Sequence, residues 1–245
     1  MKIALIGYGK MGHIIENIAK ERGHEVVSVI DVDNRDDFDS EAFVSADVAI
    51  EFTIPTSAAG NVLKCFEKGV PVVCGTTAWT DRLPEMKALC DEGKGTLMWA
   101  SNFSVGVNIF MALNRYLTKM MNAFPQYHPR MVETHHIHKL DHPSGTAVTL
   151  AENLIEESST MKGWAEPEEG KVIAEDILEI DHIREGEVPG IHTIEWDSAQ
   201  DTISITHSAK TREGFAMGAV MAAEWLAGKR GFHTIGEMYG ELLPD

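Results

Sequence analysis

Residues 3–12 read Ile3-Ala4-Leu5-Ile6-Gly7-Tyr8-Gly9-Lys10-Met11-Gly12, a short apolar run followed by three glycines. The run predicts a buried strand, and the helical pattern after it predicts a helix. In such a strand–turn–helix, the first glycine permits the tight turn and the second lets the backbone approach a pyrophosphate. The third lets the helix pack close to the strand, with the phosphates at its positive end. The stretch therefore predicts a dinucleotide-binding fold.

The rest of the first hundred residues continues this alternation. Strands are predicted at 25–31, 47–52, 70–74 and 96–100, and helices near 11–22, 57–68 and 81–92. Strands that alternate with helices of this length indicate βαβ units and a parallel sheet covered on both faces. After a helix near 105–121, longer strands are predicted at 130–138, 171–183, 191–197 and 202–209, interrupted by a helix at 146–158. This second pattern indicates a separate mixed or antiparallel sheet.

We therefore predict an α/β chain with two domains. Residues 1–105 form a Rossmann-like, doubly wound parallel sheet, completed by the C-terminal segment 213–245 with its helix at 214–227. Residues 106–212 form a second, α+β domain that binds substrate and carries the oligomerisation surface. Hinges near 103–106 and 211–215 would close the two domains on each other.

Composition narrows the function classes. The 245 residues carry a net charge of −17, which disfavours binding to nucleic acid or to an anionic membrane. No apolar run reaches the length of about 18 residues needed for a membrane span, and no leader pattern precedes the first strand. The three cysteines form an odd set without metal-like pairing, as expected of buried thiols in a reducing compartment. We expect a cytoplasmic protein, in which an anionic ligand needs a local basic pocket.

The cofactor is predicted from the end of the second strand. Asp31 lies nineteen residues past Gly12, where a carboxylate accepts hydrogen bonds from the ribose hydroxyls and repels a 2′-phosphate. Val32 follows, where an NADP site would often place an arginine. NAD is therefore the preferred cofactor, and Arg35, three residues beyond, keeps NADP possible. The alternative is that Asp31 only caps the strand end.

Two further loops follow predicted strands, at the sheet edge where ligands of doubly wound sheets bind. The first, Gly75-Thr76-Thr77, offers backbone donors and hydroxyls beside a nicotinamide ribose. The second, Ala100-Ser101-Asn102-Phe103, could bind the carboxamide and shield one nicotinamide face.

The densest concentration of chemical groups lies in Glu133-Thr134-His135-His136-Ile137-His138-Lys139-Leu140-Asp141-His142-Pro143-Ser144-Gly145-Thr146-Ala147. A metal site is one interpretation, because His136 and His138 are two residues apart and His142 is near. On a strand, however, His135 would point the other way, no cysteine pair accompanies the histidines, and Lys139 would oppose a cation, so we expect none. A purely structural role suits His138 and His142, and a pH sensor stays open.

An acid–base site for an anion is the interpretation that we favour. The Pro-Ser-Gly-Thr turn feeds a helix that starts near Ala147, so Ser144 or Thr146 can cap it and backbone N–H groups can hold a carboxylate. Lys139 adds a positive charge and a transferable proton. An imidazole with an ordinary pKa of about 6.5, such as that of His135, can donate a proton near neutral pH.

With these motifs the chain resembles the dihydrodipicolinate reductases, also called 4-hydroxy-tetrahydrodipicolinate reductases, of lysine and diaminopimelate biosynthesis. The likeness covers essentially the whole chain. The stretch Glu133 to Ala147 is its most specific motif. The supporting segments are the glycine loop, 51–55, 75–77, 102–108, 184–192, 207–212 and 215–219.

The resemblance implies an NAD(P)H-dependent reductase, a homotetramer, that transfers hydride to C4 of a cyclic, imine-containing dicarboxylate. It implies that His135 is the acid–base histidine and Lys139 the proton donor. His136, Lys139 and the Gly145-Thr146 backbone, with Ser144 beside them, would contact the substrate. The cofactor would be held by Gly7, Tyr8, Gly9, Lys10, Met11, Gly12, Asp31, Gly75, Thr76, Thr77, Ala100, Ser101, Asn102 and Phe103.

This sequence departs from the family pattern at three places. The glycine loop has one glycine fewer than many relatives, and Val32 replaces the basic residue of members that use both cofactors. Glu51 stands where aspartate is more usual. The first two departures bear on cofactor preference.

Two other functions remain open. One is a related amino- or imino-acid dehydrogenase, such as an aspartate dehydrogenase, which would not need the histidine pair, Lys139 and the Pro-Ser-Gly-Thr turn. The other is a non-catalytic NAD-sensing regulator, which would usually carry a basic DNA-binding segment.

Overall fold

The computed structural model of the chain describes residues 1–242, which divide into two compact units. Unit 1 holds residues 1–105 and the chain from Arg212 onward, and unit 2 holds residues 106–211. The last three residues of the predicted segment 213–245 lie outside the described residues. The elements, in chain order, are β1 (Lys2–Ile6), α1 (Lys10–Glu21), β2 (Glu25–Ile30), α2 (Glu41–Val44), β3 (Val48–Glu51), α3 (Pro55–Lys68), β4 (Val72–Cys74), α4 (Leu83–Asp91), β5 (Thr96–Trp99), α5 (Val105–Met121), β6 (His128–His135), α6 (Gly145–Glu157), β7 (Gly163–Ala165), β8 (Ile177–Arg184), β9 (Ile191–Asp197), β10 (Thr202–Ser208), α7 (Glu213–Leu226), β11 (Gly231–Thr234) and α8 (Ile235–Leu242).

Within the described residues, unit 1 is built on a six-stranded parallel sheet of order β11-β5-β4-β3-β1-β2. Alternate residues of β1 are buried on opposite faces: Ile3 and Leu5 pack with α1 and α7, whereas Ala4 and Ile6 pack with α3 and α4. The order reverses between β1 and β3, and a doubly wound sheet binds its ligand at that point. The predicted Rossmann-like fold is confirmed.

The helix α7 lies unusually close to the rest of unit 1. Most of its buried side chains are small: Ala216, Ala219, Ala222 and Ala223 are all fully buried. A Cβ on Gly218 would lie 1.6 Å from the backbone oxygen of Phe103. Only glycine therefore permits this helix to approach the backbone so closely.

Unit 2 is a five-stranded mixed sheet of order β10-β9-β6-β8-β7, as the second sequence pattern predicts. The central strand β6 runs antiparallel to β9 and parallel to β8. Helices α5 and α6 pack on one face, where Met131, Ile180 and Ile194 are buried with Leu150. Side chains on the other face, such as those of Val132, Thr134 and Thr193, are only half-buried.

The sequence prediction was wrong about two strand ends. β6 ends at His135, not at residue 138, because the chain turns to follow the Glu185–Gly186 turn, with hydrogen bonds from Glu185 N to His135 O and from Ile137 N to Gly186 O. β8 begins at Ile177, not at residue 171, because residues 171–174 have no regular structure and Glu175 and Asp176 form a turn. The short elements β7, β11, α2 and α8 were not predicted. None of the helices in residues 1–242 is both long and apolar enough to span a bilayer.

Candidate active site

The three glycines of the β1–α1 loop occupy different environments. Gly7 has φ +92°, and a Cβ there would lie 2.1 Å from the backbone oxygen of Phe52. A Cβ on Gly12 would lie 2.4 Å from Gly7 O, whereas one on Gly9 would meet no described atom within 4 Å. The first and third glycines are therefore needed for the turn and for packing. The second leaves open space just before α1 begins, where a phosphate group can approach the helix N-terminus.

A cavity of about 270 Å³ opens beside this loop at the ends of β1 and β2. It is lined by Ile6, Gly7, Tyr8, Gly9, Ile30, Asp31, Val32, Arg35, Phe52, Thr53, Ile54, Ser57 and Asn61. Asp31 accepts a hydrogen bond from Val32 N at 2.9 Å and also lines the cavity. Asp31 can therefore cap the end of the strand and contact a ligand in the cavity at the same time. Arg35 lines the same cavity and donates to the Ser57 hydroxyl at 3.4 Å. An acidic and a basic side chain thus both face the space suited to an adenosine ribose.

A second cavity of about 340 Å³ continues past the glycine loop toward the end of β4. It is lined by Gly9, Lys10, Met11, Phe52, Thr53, Pro55, Gly75, Thr76 and Thr77. The Thr76 hydroxyl accepts from Thr53 N at 2.8 Å, and its carbonyl accepts from the indoles of Trp79 and Trp99 at 2.7 and 3.0 Å. A Cβ on Gly75 would lie 2.2 Å from the Phe52 ring. Thr76 and Gly75 therefore shape the loop, and Thr77 is exposed to a ligand.

The predicted nicotinamide loop after β5 lines neither of these two cavities. Ala100 and Phe103 are buried, and Asn102 Oδ1 accepts a hydrogen bond from Ser104 N at 2.8 Å. The cofactor contacts assigned to Ala100, Ser101, Asn102 and Phe103 stay a prediction.

A buried carboxylate, that of Glu51, contacts a residue that lines both cavities. Glu51 is fully buried at the end of β3 and accepts hydrogen bonds from Asn61 Nδ2 at 3.1 Å, from the Cys74 thiol at 3.0 Å and from the Thr53 hydroxyl. Burial raises the pKa of the Cys74 and Cys65 thiols well above their ordinary value. These cysteines are therefore unreactive structural thiols, as the sequence predicts.

In unit 2 a buried carboxylate organises the histidine-rich stretch. Glu133 is fully buried, and both of its oxygens accept from Ser144 N at 3.1 Å. Arg184 Nη2 lies 3.3 Å from one oxygen, while His135 Nδ1 and His192 Nε2 lie 3.5 and 3.6 Å from the other. The strand register brings these side chains to the Glu133 carboxylate, because Glu133 pairs with His192 and His135 pairs with Arg184. One carboxylate thus lies between His135, the predicted acid–base histidine, and the turn that begins α6.

Electrostatics within this cluster set the protonation states. Burial alone would raise the pKa of Glu133, but hydrogen bonds from His192 and Ser144 outweigh it and lower the pKa to about 2. Burial lowers the pKa of His135 to about 4, even though the Glu133 charge acts in the opposite direction. Glu133 is therefore ionised and His135 neutral at pH 7. The expected ordinary pKa of 6.5 for His135 does not describe the substrate-free protein.

Lys139 is held by its own loop. Its ammonium lies 2.7 and 2.8 Å from the two carboxylate oxygens of Asp141, and the lysine side chain is largely buried. Arg184 donates to the backbone oxygens of Lys139 and Asp141, at 3.3 and 2.8 Å. Because the same guanidinium contacts Glu133, Arg184 fixes the lysine loop relative to the buried carboxylate.

The Pro-Ser-Gly-Thr turn has the predicted capping geometry. Ser144 is the N-cap of α6, and its hydroxyl accepts from Ala147 N at 3.2 Å and lies 3.2 Å from His192 Nε2. Gly145 and Thr146 form the first helical turn, where backbone N–H groups and the helix dipole favour an anion. Ser144 itself is buried, so it supports the turn, whereas Gly145 is exposed to solvent.

The remaining histidines lie in the loop after β6, where strand alternation no longer applies, contrary to the sequence argument. His136 Nδ1 is buried and has no hydrogen-bond partner among residues 1–242. His138 is exposed and lies 2.9 Å from Glu187. His142 contacts Glu166 at 2.7 Å. Near the lysine loop, the Nδ1 atoms of His135 and His136 therefore both lack a hydrogen-bond partner among the described residues.

Sequence reasoning gave no role to Glu133, Arg184 or His192. Two signals pointed to them: Glu133 and His135 are two residues apart and so share one strand face, and the segment 184–192 matches the family pattern. Ligand-type atoms of Glu133, His135 and His192 do lie within 4.8 Å of one another. The guanidinium of Arg184 and the amide of Ser144 contact that carboxylate directly, so it has a cationic partner and a hydrogen-bond donor within the protein.

Comparisons with family models and with known relatives both identify the dihydrodipicolinate reductase family. The family models for the dihydrodipicolinate reductase N-terminus and C-terminus match residues 1–103 and 106–239. The chain is 44% identical over 247 residues to a 4-hydroxy-tetrahydrodipicolinate reductase of Christiangramia forsetii, covering 100% of both proteins. It is 36% identical over 260 residues to the enzyme of that name from Archaeoglobus fulgidus, covering 96% of this chain and 98% of the relative.

Among solved structures, the fold is similar to a dipicolinate-bound dihydrodipicolinate reductase from Paenisporosarcina sp. TG-14. The TM-score is 0.76 at 21% identity, with 96% of this chain and 97% of the other covered.

Proposed function

The chain belongs to the dihydrodipicolinate reductase family, and we propose that it reduces 4-hydroxy-tetrahydrodipicolinate or its dehydrated form to tetrahydrodipicolinate with NAD(P)H. This is a step of lysine and diaminopimelate biosynthesis. The observation that carries the proposal is the cluster of Glu133, His135, Lys139 and the Ser144-capped turn, which combines proton donors with an anion site.

We propose that His135 and Lys139 donate or relay the proton that the substrate takes up. A bound reduced nicotinamide supplies the hydride, and the conjugated ring of the substrate then gains negative charge. Lys139 is cationic and can donate a proton to that charge. His135 is neutral before substrate binds, and a nearby dianion would raise its pKa toward the range of a useful acid. The Glu133 carboxylate lies 3.5 Å from Nδ1, which leaves Nε2 for the substrate.

Substrate carboxylates are expected to bind at the N-terminal turn of α6. Gly145 and Thr146 supply backbone N–H groups, and His136 offers the buried Nδ1 that lacks a partner among the described residues. A carboxylate arriving near Lys139 must compete with Asp141, which holds the ammonium through both oxygens. The exchange of one carboxylate for another keeps Lys139 paired throughout binding.

For the cofactor we propose NAD as the preferred form, with NADP accepted. Asp31 suits the ribose hydroxyls of NAD, and Arg35 in the same cavity supplies a charge partner for a 2′-phosphate. The cofactor residues belong to unit 1 and the acid–base residues to unit 2, and we propose that a hinge motion near 103–106 and 211–215 accompanies hydride transfer. We further propose a cytoplasmic homotetramer assembled through the half-buried face of the unit 2 sheet.

The direct test is a coupled assay that generates substrate with the preceding synthase and follows loss of nicotinamide absorbance. We expect turnover with both NADH and NADPH. Cofactor binding without turnover would instead support a sensor. Turnover of oxaloacetate with ammonia, and none of the synthase product, would indicate an aspartate dehydrogenase.

A further inference from the structure

A second histidine–carboxylate cluster lies beside the turn that precedes α6. His142 Nδ1 and His182 Nδ1 lie 2.7 and 3.0 Å from the same oxygen of Glu166, Oε1. Ligand-type atoms of all three side chains fall within 4.8 Å of one another. The three residues come from separate parts of unit 2: the loop before α6, the end of β7 and the middle of β8.

Hydrogen bonding accounts for only part of this cluster. His142 bonds to Glu166, but the approach of His182 is not a hydrogen bond, and its buried Nδ1 has no such partner among the described residues. The two imidazoles are stacked, with centroids 4.1 Å apart and planes 15° apart. Two stacked rings whose Nδ1 atoms both lie within 3.0 Å of one carboxylate oxygen, with only one of them hydrogen-bonded to it, are arranged like ligands around a shared cation.

We propose that His142, Glu166 and His182 bind a divalent transition metal of the zinc type. Two imidazole nitrogens and one carboxylate oxygen are a ligand set that Zn²⁺ favours, with water completing a tetrahedron. Zinc–ligand bonds of about 2.0–2.2 Å place ligand atoms roughly 3.3 Å apart, so the observed 2.7 and 3.0 Å separations need only a small expansion.

Metal binding changes the ring arrangement in a defined way. A metal lies near the plane of each imidazole that binds it, so the parallel stack must open as the two rings tilt toward the ion. His142 can make this movement because its side chain is about half exposed. The bound ion would tie the turn before α6 to β8, two residues from Arg184, and so brace the loop that carries Lys139.

This site differs from the metal site considered from the sequence. That hypothesis grouped His142 with His136 and His138, but His138 lies with Glu187 instead. The cluster also differs from the one around Glu133, because no described cation contacts Glu166. Its carboxylate charge is therefore available to a metal ion.

The test is a titration of the full-length protein with Zn²⁺ in competition with a chromophoric chelator. We expect one equivalent to bind, and His182→Ala and His142→Gln each to weaken binding by at least about tenfold. Glutamine at position 142 retains a hydrogen-bonding group for Glu166, so a purely structural pair would tolerate it. His138→Ala is the matched control, since it removes an exposed histidine beside a carboxylate, and it should leave affinity unchanged.

A further variant, His135→Gln, identifies the competing site. Unchanged zinc affinity in both His142→Gln and His182→Ala would overturn the proposal, as would loss of binding in His135→Gln alone. Circular dichroism of each variant shows whether the fold is retained. If His182→Ala does not fold, the comparison of His142→Gln with His138→Ala decides the question.

Discussion

The fully buried carboxylate of Glu133 lies 3.5 Å from the imidazole Nδ1 of His135, two residues further along the same strand. The same carboxylate accepts the backbone N–H of Ser144, so a single side chain contacts both the proposed acid–base histidine and the turn that begins α6.

Glu133→Gln should therefore impair catalysis more than substrate binding. The amide keeps the size of the side chain but removes the charge that favours a protonated His135 and pairs with Arg184. We expect kcat to fall by about 10- to 100-fold, with a smaller change in KM. The alkaline limb of the pH–rate profile, where an essential acid loses its proton, should shift to lower pH. Glu187→Gln, beside exposed His138, is the control and should retain wild-type kinetics. Equal losses in the two variants would contradict the role of Glu133.

Lys139→Ala should abolish most turnover without unfolding the protein. Loss of a positioned acid costs about 10²- to 10⁴-fold in rate. The stability cost should stay below about 1 kcal/mol, because the partner, Asp141, is exposed and solvated. Steady-state kinetics and urea unfolding measure the two effects separately. Near-normal rates in Lys139→Ala would show that another group donates the proton.

The free energy of unfolding should decrease as the pH is lowered, over a pH range set by the pKa values of the buried groups His135 and Glu133. The pKa of His135 is lowered from 6.5 to about 4 and that of Glu133 from 4.5 to about 2. Both groups bind protons more tightly when unfolded, so their contribution is complete above pH 6.5 and is lost as the pH falls through these values. The loss from His135 between pH 6.5 and 4 should be on the order of 3 kcal/mol. Urea unfolding across this range should show a shallower pH dependence in His135→Gln, and identical slopes would contradict the assignment.

Cofactor choice should depend on Arg35. In Arg35→Gln we expect KM for NADPH to rise by about tenfold or more, because a charge-assisted hydrogen bond to the 2′-phosphate is lost. The KM for NADH should stay unchanged, since its ribose contacts involve Asp31. Comparing kcat/KM for the two cofactors gives the measurement. A parallel change for NADH would mean that Arg35 acts on the fold of the cavity instead.

Close packing of α7 gives a prediction about stability. Gly218→Ala places a Cβ 1.6 Å from Phe103 O, so the helix must shift, at a cost of about 1–3 kcal/mol. Gly60→Ala in α3 is the matched control, because a Cβ there meets no described atom within 4 Å. It should stabilise the helix by about 0.5–1 kcal/mol. Thermal unfolding of both variants distinguishes a packing effect from a general effect of helical glycine.

Much of the architecture follows from local patterns. The apolar run from Ile3 to Ile6 and the glycines after it predict the dinucleotide fold, because the tight turn and the helix packing are properties of neighbouring residues. The strand and helix periods predict both sheets for the same reason. The Pro-Ser-Gly-Thr turn predicts the cap of α6, which Ser144 provides.

Contacts between distant parts of the chain required the tertiary structure. Arg184 and His192 reach Glu133 only because β8 and β9 flank β6 in one register, and no local pattern encodes which strands become neighbours. The lowered pKa of His135 has the same origin, since burial depends on what packs around the ring. The sequence by itself determined the fold class and the groups available for chemistry. The packing of distant strands decided which of those groups share one buried carboxylate, and so which protonation states they hold.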